Sequence, residues 1–470
     1  MVAMRTIVLF VSSLLVVGAL RFHDIIPKGE SHFNGIPVEK YVISMNRLME
    51  ITHKLMDLDT ASLPRFEDFE WNHLESPEEN PFLYQGDITF SEAQLDALLE
   101  DFEIQLAEKE GRAIPERLYS VGVGLWKKFP ITWSMDDARP IVGGDGVLRK
   151  GIDMWEEVTC LTFKEDDNRT NGHINFFDGT GCNSPHGKVS INNISIGVGC
   201  QNPAVVAHEI GHSLGLFHTQ KRPDASTYLR IFWDNIQKGK EHNFGTTRTE
   251  KARFNPTKRG IPYDYGSVMH YGRRSFSINA DLPTLLPHDR NYNQTLGQRS
   301  SIAFTDAKEI NLMYCSKTCL TKLHCSHGGY TDPKDCSKCR CPEGLGGKLC
   351  DKVAESPDVC GPANLRATKK FQNLTMEGES QCYYKIKAPK GKKVKVILES
   401  LTFDGGNYQQ SCQSNYVEIK YSSDLQIAGA RFCPESLLES RKINTAENSI
   451  YIIYKSQSID YGFTLRYKFL

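Results

Sequence analysis

The chain has 470 residues, a length that accommodates several domains and at least one sizeable hydrophobic core. Its formal net charge is -1 at pH 7 and 24% of its residues are charged, so neither nucleic acid nor an anionic membrane surface is expected as the main partner. The 14 cysteines, none of which precedes Cys160, indicate a disulfide-bonded protein if the chain is exported.

The N-terminus has the pattern of a secretory signal peptide over residues 1–19. An apolar run from Ile7 to Leu20 follows Arg5, and small residues around Ala19 suit cleavage after that residue. The run is too short for a comfortable membrane span, and no later stretch is long and apolar enough to span a bilayer. The sequence therefore predicts a secreted, extracellular protein with no membrane span, and an uncleaved anchor is the alternative.

Residues 20–117 form an acidic, cysteine-free and helix-prone segment. Ser91 and Gln94 make a capping-box pattern before an apolar periodic run, which predicts the start of a helix. The segment has the character of a pro-segment, and Arg112 or Arg117 is a plausible processing point for a trypsin-like activating protease. The alternative is an ordinary N-terminal domain that the mature protein keeps.

Residues 118–315 have the pattern of a mixed α/β domain. Leu148, Ile152 and Trp155 mark an amphipathic helix, and short strands are expected near residues 161–163, 173–177 and 189–198. The second half of this segment is rich in glycine and proline and is expected to consist mainly of loops.

The residues His208 to His218 read H-E-x-x-H-x-x-G-x-x-H. On a helix, His208 and His212 lie on one face and can bind one metal ion together, while Gly215 can end the helix in a left-handed conformation and let His218 return as a third ligand. Three protein ligands leave a fourth zinc position for water, whose pKa zinc lowers to about 7. Glu209 is placed to act as general base, so the motif predicts one catalytic Zn²⁺ per subunit and hydrolysis of peptide bonds.

Two further modules follow. Six cysteines lie between Cys319 and Cys350, where some thirty residues are too few to build a hydrophobic core without disulfides. A zinc knuckle of Cys336, Cys339 and Cys341 is the alternative, but oxidising export argues against it. Residues 360–470 alternate strand-like runs with turn residues, which predicts a β-sandwich.

Several motifs in this chain resemble those of the astacin family of metzincin zinc metallopeptidases. They are the three-histidine motif and the segments Trp155–Cys160, Gly181–Ser184, Tyr263–Tyr265, Ser267–Tyr271, Leu296–Arg299 and Asn311–Cys315. The resemblance implies a multidomain α+β chain: an astacin-like metzincin domain over 118–315, an EGF-like module over 316–351 and an all-β CUB sandwich over 360–470. The module order is similar to that of nematode-type astacins.

The resemblance also assigns roles to individual residues. Met269 would form an apolar floor beneath the zinc, and Tyr271 would be a mobile ligand that donates to the oxyanion when substrate binds. Asp87, in Gln85-Gly86-Asp87-Ile88, would occupy the water position on zinc in the zymogen and keep it latent.

The implied disulfides use every cysteine: Cys160–Cys315, Cys182–Cys200, Cys319–Cys336, Cys325–Cys339, Cys341–Cys350, Cys360–Cys382 and Cys412–Cys433. Glycan acceptor sequences are present at Asn168, Asn193, Asn293 and Asn373.

Two positions depart from the family pattern. Thr219 stands where the family usually has a glutamate that anchors the mature N-terminus, which puts that anchoring in doubt and makes the maturation site harder to infer. Asn415 stands where calcium-binding CUB domains have an aspartate, so calcium is not predicted there.

The function expected from these patterns is that of a secreted zinc endopeptidase. It would be made as a zymogen and would cut extracellular or matrix proteins with a zinc-bound water and Glu209 as general base. Two alternatives are an inactive binding protein that uses its EGF-like and CUB modules for adhesion, and an ion-handling zinc protein. The first would be expected to lack Glu209 or a histidine, and the second has no use for Glu209.

Overall fold

The computed structural model describes most of the chain, namely residues 19–26, 30–72, 74, 76–113, 124–136, 139–141, 143–245, 260–403, 411–433, 441–445 and 447–470. Residues 1–18 of the expected signal peptide and the possible processing point Arg117 lie outside the described residues. Within the part of the chain that is described, no helix has the length and apolarity needed to cross a membrane.

Residues 19–113 fold into a helical N-terminal unit. Its elements are β1 (His32–Phe33), β2 (Ile36–Pro37), α1 (Val38–Leu55), β3 (Ile88–Thr89) and α2 (Glu92–Lys109). The expected capping box is present, because Ser91 Oγ accepts from the Gln94 amide and Gln94 Oε1 accepts from the Ser91 amide. Helices α1 and α2 pack together over a core rich in aromatic side chains, including Phe22, Phe66 and Phe82. The unit therefore has a hydrophobic core of its own.

The next residues form a sheet with helices packed against it. The elements are β4 (Ile131–Met135), α3 (Asp145–Val158), β5 (Phe163–Glu165), β6 (His173–Phe177), β7 (Cys182–Pro185), β8 (Ile191–Ile196) and α4 (Pro203–Ser213). The strand order is β3-β7-β8-β6-β4-β5, in which only the β7–β8 pair is antiparallel. Strand β3 of the N-terminal unit thus extends this sheet at one edge.

The described residues in the second half of this region are mostly loop, as the glycine and proline content predicts. Its regular elements are α5 (Ala225–Tyr228), β9 (Leu229–Ile231), β10 (Leu285–Pro287) and α6 (Phe304–Tyr314). The disulfide Cys160–Cys315 ties the end of α6 to the residues that follow α3, and Cys182–Cys200 joins β7 to the chain before α4. Both bonds connect segments that surround α4.

Residues 316–353 contain little regular structure and are held by three disulfides, Cys319–Cys336, Cys325–Cys339 and Cys341–Cys350. The strands are β11 (Tyr330–Asp332), β12 (Asp335–Arg340), β13 (Leu345–Gly346) and β14 (Lys352–Val353), which form two antiparallel hairpins. Each bond uses one of the three cysteines that a zinc knuckle would need, namely Cys336, Cys339 and Cys341. Among the described residues no cysteine is free.

The C-terminal residues form a β-sandwich. Its strands are β15 (Asn364–Arg366), β16 (Gln372–Glu377), β17 (Ser380–Lys387), β18 (Val394–Leu401), β19 (Tyr416–Lys420), β20 (Ala430–Phe432), β21 (Arg441–Asn444), β22 (Ser449–Ser456) and β23 (Gly462–Phe469). One sheet has the order β15-β17-β22-β19-β20 and the other the order β16-β23-β18-β21. Disulfides Cys360–Cys382 and Cys412–Cys433 brace it.

The sandwich is docked on the loop-rich part of residues 260–300 through buried polar contacts. Thr295 Oγ1 accepts from the Arg431 amide and donates to the Gly429 carbonyl, and the Ala428 amide donates to Asp264 Oδ1. The Arg431 guanidinium pairs with Glu418 at 3.1 Å, and both side chains are almost fully buried. Apolar side chains of the two regions also belong to one continuous cluster. The sandwich is thus packed onto the region that carries the histidine motif.

Candidate metal centre

The helix α4 carries the first two histidines of the motif, and its boundaries follow from local signals. Asn202 caps the N-terminus by accepting from the Ala204 amide at 2.8 Å, and Pro203 occupies the first helical position. The side chains of Val206, Ile210 and Leu214 are fully buried against the core, as the i, i+4 spacing predicts. The opposite face presents His208 and His212 to the site.

The turn after α4 brings the third histidine back. Gly215 has φ 101°, a left-handed conformation that favours glycine. The Leu216 amide donates to the Gly211 carbonyl and the Gly215 amide donates to the His212 carbonyl, which is the hydrogen-bond pattern of a Schellman motif. The chain reverses at this point, and His218 faces His208 and His212.

The Nε2 atoms of the three histidines converge. The Nε2 of His208 lies 3.1 Å from that of His212 and 3.3 Å from that of His218. Each Nδ1 has an acceptor: the Val268 carbonyl for His208, the Leu216 carbonyl for His212 and the Gln85 side-chain oxygen for His218. These contacts assign the proton to Nδ1 and leave the three Nε2 lone pairs facing one another.

This arrangement fits a zinc ion. Tetrahedral zinc with Zn–N bonds of about 2.0–2.1 Å places two ligand nitrogens about 3.3 Å apart, close to the separations observed here. All three side chains are fully buried, and burial lowers the pKa of His208 well below its usual value and that of His218 to about 4. Neutral imidazoles with converging lone pairs repel one another unless a cation lies between them.

A carboxylate completes the cluster. Asp87 Oδ2 lies 3.2 Å from the Nε2 of His208 and 3.0 Å from that of His218, and Oδ1 lies 3.4 Å from that of His212. Burial raises the pKa of Asp87, but the electrostatic interactions with the neighbouring His218 and His212 outweigh burial and hold the pKa of this carboxyl well below its usual value. Asp87 and the three histidines are together one of two groups of side chains, among the described residues, that are close enough to share a metal ion.

The backbone on either side of Asp87 fixes its position. Residues Ile88–Thr89 pair in parallel with β7, and the Ser184 amide donates to the Asp87 carbonyl at 2.9 Å. The Gln85 amide donates to Asn243 Oδ1, and the Gln85 carbonyl accepts from the Tyr271 hydroxyl at 2.6 Å. Residues 85–87 form a turn, with Gln85 at φ 54° and Gly86 at φ 84°, that leads into strand β3. The segment that carries Asp87 is therefore anchored on both sides of this residue.

Glu209 has no such partners. It is fully buried, and neither carboxylate oxygen has a hydrogen-bond partner among the described residues. Burial raises the pKa of Glu209 well above its usual value, and the negative charges of Asp87 and Glu78 raise it further. A buried carboxyl without a partner is costly, and such groups mark functional sites more often than structural ones.

The structure also places the remaining predicted residues. Met269 is buried and packs closely against Gly211 of α4. A Cβ added to Gly211 would lie only 2.8 Å from the Met269 sulfur, so no larger residue fits there without a shift. The ring of Tyr271 lies against that of His218 at an interplanar angle of 58°, with ring centroids 4.6 Å apart. Asn168, Asn193 and Asn373 are exposed, whereas Asn293 is half-buried and its side-chain oxygen is buried.

Thr219, which replaces the expected glutamate, is part of a buried hydrogen-bond chain. Its hydroxyl donates to Ser267 Oγ at 2.7 Å, and Ser267 donates to Asp306 Oδ1 at 2.6 Å. Burial raises the pKa of Asp306 to about 7. A carboxyl group therefore lies two hydrogen bonds from Thr219, although it comes from α6 rather than from the position next to His218.

Sequence reasoning did not identify three residues of this site. Gln85 contacts His218 and Tyr271, and Glu78 forms an ion pair with Arg299 at 2.7 Å beside Glu209. None of these residues stands at a recognisable spacing from the histidine motif, and their sequence separations from their partners exceed one hundred residues. Gln85 and Arg299 fall within segments that carry the family resemblance, but the resemblance assigned them no role, and no local pattern pointed to Glu78.

Comparison with known proteins identifies the chain. The Astacin peptidase-family model matches residues 121–315, and the CUB domain model matches residues 361–467. Zinc metalloproteinase nas-34 of Caenorhabditis elegans is 32% identical over 461 residues, which cover 94% of this chain and 73% of that protein. The chain belongs to the astacin family. Zinc metalloproteinase nas-30 of the same nematode is 36% identical over 359 residues, covering 75% of this chain and 46% of that protein.

Among solved structures, high choriolytic enzyme 1, a hatching enzyme zinc-protease from Oryzias latipes, is 29% identical and has a TM-score of 0.37. The match covers 42% of the present chain and 98% of the hatching enzyme. The chain spans 63% of Caenorhabditis elegans nas-36 and less than half of nas-30. Family membership confirms three predictions: the multidomain α+β class, the zinc cofactor and the enzyme class, a zinc metalloendopeptidase.

Proposed function

We propose that this chain is a secreted zinc endopeptidase, made as a zymogen, that hydrolyses peptide bonds of extracellular proteins with Glu209 as general base. The observation that carries the proposal is the convergence of three buried imidazoles beside a buried, unpartnered glutamate. Three nitrogen ligands with a nearby carboxyl base make a catalytic zinc site, whereas a structural site is closed by a fourth protein ligand.

The proposed chemistry divides between the metal and the protein. When bound, zinc supplies Lewis acidity toward water and the scissile carbonyl. His208, His212 and His218 would hold it, with their orientation fixed by the acceptors on Nδ1. Glu209 would take a proton from the attacking water and pass it to the leaving amine. The hydroxyl of Tyr271 would donate to the oxyanion once it is released from the Gln85 carbonyl.

The N-terminal unit would keep the enzyme latent. Asp87 lies among the three histidines, and the anchored segment around it crosses the site where a substrate would bind. Cleavage at Arg112 or Arg117 by a trypsin-like protease would separate this unit from residues 118–315. Arg112 is exposed and follows the end of α2, which supports access by such a protease.

The other modules and the location complete the proposal. We assign residues 1–19 to a signal peptide, 20–117 to the pro-segment, 118–315 to the peptidase domain, 316–351 to an EGF-like module and 360–470 to a CUB domain. Seven disulfides support an oxidising, extracellular location. The C-terminal modules would position the enzyme on protein or matrix substrates, and the three exposed asparagines named above are the better candidates for glycans.

The test starts from the secreted protein, treated with trypsin and assayed on a quenched fluorescent peptide with and without a zinc chelator. We expect chelator-sensitive cleavage that Glu209→Ala abolishes while the bound zinc remains. Glu157→Ala, a change at an exposed glutamate of the same domain, is the matched control and is expected to cleave normally. Cleavage that survives Glu209→Ala contradicts the mechanism, and zinc binding without any cleavage favours the inactive binding protein.

A further inference from the structure

The net charge of the chain conceals a strong asymmetry. Residues 360–470 contain 16 lysines and arginines against 10 aspartates and glutamates, a net charge of +6, so the remaining residues carry a net charge of -7. The run from Lys387 to Lys395, K-A-P-K-G-K-K-V-K, has five lysines in nine residues. Lysine-rich runs of this length are typical of sites for polyanions such as heparin.

The fold gathers this charge on one surface, here called the basic face. It comprises eight lysines of the four-stranded CUB sheet and its adjoining loops: Lys369, Lys370, Lys390, Lys392, Lys393, Lys395, Lys442 and Lys468. Six of them are exposed, and Lys395 and Lys468 are half-buried. Among the described residues none of the eight forms an ion pair with a carboxylate.

The strand register explains how lysines distant in sequence become neighbours. Lys395 of β18 is directly opposite Lys468 of β23, and Lys442 of β21 is opposite Ile397, two residues further along β18. Adjacent strands lie about 4.8 Å apart, and residues i and i+2 share a face. Because Val394, Val396 and Leu398 point into the core, these lysines point outward.

The loops at one end of the sheet add the other lysines. The Leu470 amide donates to the Lys393 carbonyl, and the Phe469 amide donates to the Thr368 carbonyl. These two contacts hold the 387–395 turn and the loop that contains Lys369 and Lys370 on either side of the end of β23. The basic face is therefore continuous over three strands and two loops.

Stability alone does not account for this arrangement. Like charges directly opposite each other on a sheet destabilise it, and Lys395 and Lys468 are such a pair. Glu399, an exposed carboxylate on β18, pairs with Arg466 and not with a lysine of the basic face. A bound polyanion would relieve this repulsion.

Phe371 gives the face an aromatic component that does not suit a membrane. Its ring is 37% exposed and lies beneath Arg466, 5.0 Å from the guanidinium carbon, and beneath Lys468, 4.9 Å from the ammonium nitrogen. A ring covered by two cations cannot insert into a bilayer, and the anionic lipids that attract polybasic segments belong to the cytoplasmic leaflet. The disulfides of this chain indicate an oxidising, extracellular environment, where the cytoplasmic leaflet is not accessible.

We propose that the basic face of the CUB sheet binds a sulfated polysaccharide of the extracellular matrix. The contacts with residues 260–300 are made by the other sheet, through Gly429 and Arg431 of the β19–β20 region. The basic face belongs to the four-stranded sheet and none of its lysines takes part in these contacts. The enzyme can therefore hold the matrix there while its active site faces a protein substrate. Asn373, a predicted glycan site, is on β16, separated from Lys395 by β23.

The test measures the affinity of the full-length secreted protein for immobilised heparin as NaCl is varied. The variant Lys392→Gln/Lys395→Gln/Lys468→Gln removes three charges from the face. The control Lys127→Gln/Lys128→Gln/Lys348→Gln removes three exposed charges elsewhere. Each lysine near an anionic surface contributes about fivefold to binding, so we expect about 100-fold weaker binding for the first variant. The control should bind like the parent.

Two further measurements separate the alternatives. Fully desulfated heparin should fail to compete, and vesicles rich in phosphatidylserine should not bind. Peptide cleavage by the trypsin-treated protein should be unchanged in both variants, because none of the six lysines belongs to the metal centre. Equal weakening in both variants would show diffuse attraction and overturn the proposal, and so would binding to the vesicles but not to heparin. If the triple variant is secreted poorly, Lys395→Gln alone is expected to weaken binding about fivefold.

Discussion

Gly151 of α3 lies where this helix crosses α4, the helix that carries His208 and His212. Replacing Gly151 by alanine tests whether close packing against α3 holds α4 in position. A Cβ at this position would lie 2.6 Å from Val206 Cβ and 2.9 Å from the Pro203 carbonyl oxygen. Carbon atoms prefer separations of about 3.5–4.0 Å. The two helices must therefore move apart by roughly 1 Å, since neither contact is with the flexible end of a long side chain.

Gly146 of the same helix provides the matched control, because a Cβ there meets nothing within 4 Å. Replacing glycine by alanine in a helix gains up to about 1 kcal/mol from backbone entropy. Gly146→Ala should keep this gain, whereas at Gly151 an overpacking cost of about 1–3 kcal/mol should cancel or exceed it. In a domain of roughly 200 residues, 1 kcal/mol changes Tm by about 2–4 °C.

We expect Gly151→Ala to melt several degrees below Gly146→Ala in the full chain. A 1 Å displacement of catalytic groups can cost 100-fold, so kcat/KM of the trypsin-treated Gly151→Ala protein should fall about 10- to 100-fold. The assays are thermal unfolding followed by circular dichroism and cleavage of a quenched peptide. If the two variants have equal Tm and equal activity, α3 does not support α4 at this contact and the reasoning is refuted.

Three further predictions concern the latency of the unprocessed protein, the stabilisation of the oxyanion and the buried ion pair of the CUB sandwich. Asp87→Ala should raise the peptidase activity of the unprocessed protein, and unchanged latency would count against its role as a cap. Tyr271→Phe in the processed enzyme should lower kcat by about 10²–10³ with little change in KM, as for loss of one oxyanion donor; an effect confined to KM argues for substrate binding instead. Arg431→Met should cost about 3–5 kcal/mol, seen as a lower Tm, because it leaves Glu418 buried without its partner. Adding Glu418→Gln should restore part of this loss, and a double variant as unstable as the single one would be inconsistent with the buried pair.

Local features of the fold could be predicted from the sequence because their residues are neighbours along the chain. The capping box at Ser91 is present, Gly215 has the left-handed φ expected at the end of α4, and the apolar face of α4 is buried. The predicted strands lie near the observed ones, although β5 begins at Phe163 rather than at Leu161. In the C-terminal sandwich the strand pattern of the sequence is weakest at the sheet edges, because strands β15, β16, β20 and β21 are short or less apolar than the central strands.

The spacing of His208, His212 and His218 was enough to indicate a zinc site, because helix geometry and one glycine turn determine where three nearby side chains point. Tertiary structure alone brings Asp87 to these histidines from 121 residues before His208, and pairs Glu78 with Arg299 across 221 residues. It also assembles the basic face from separate strands and loops. Contacts of this kind depend on how whole elements pack, which no local spacing encodes, whereas the histidine motif lies within a few turns of one chain segment.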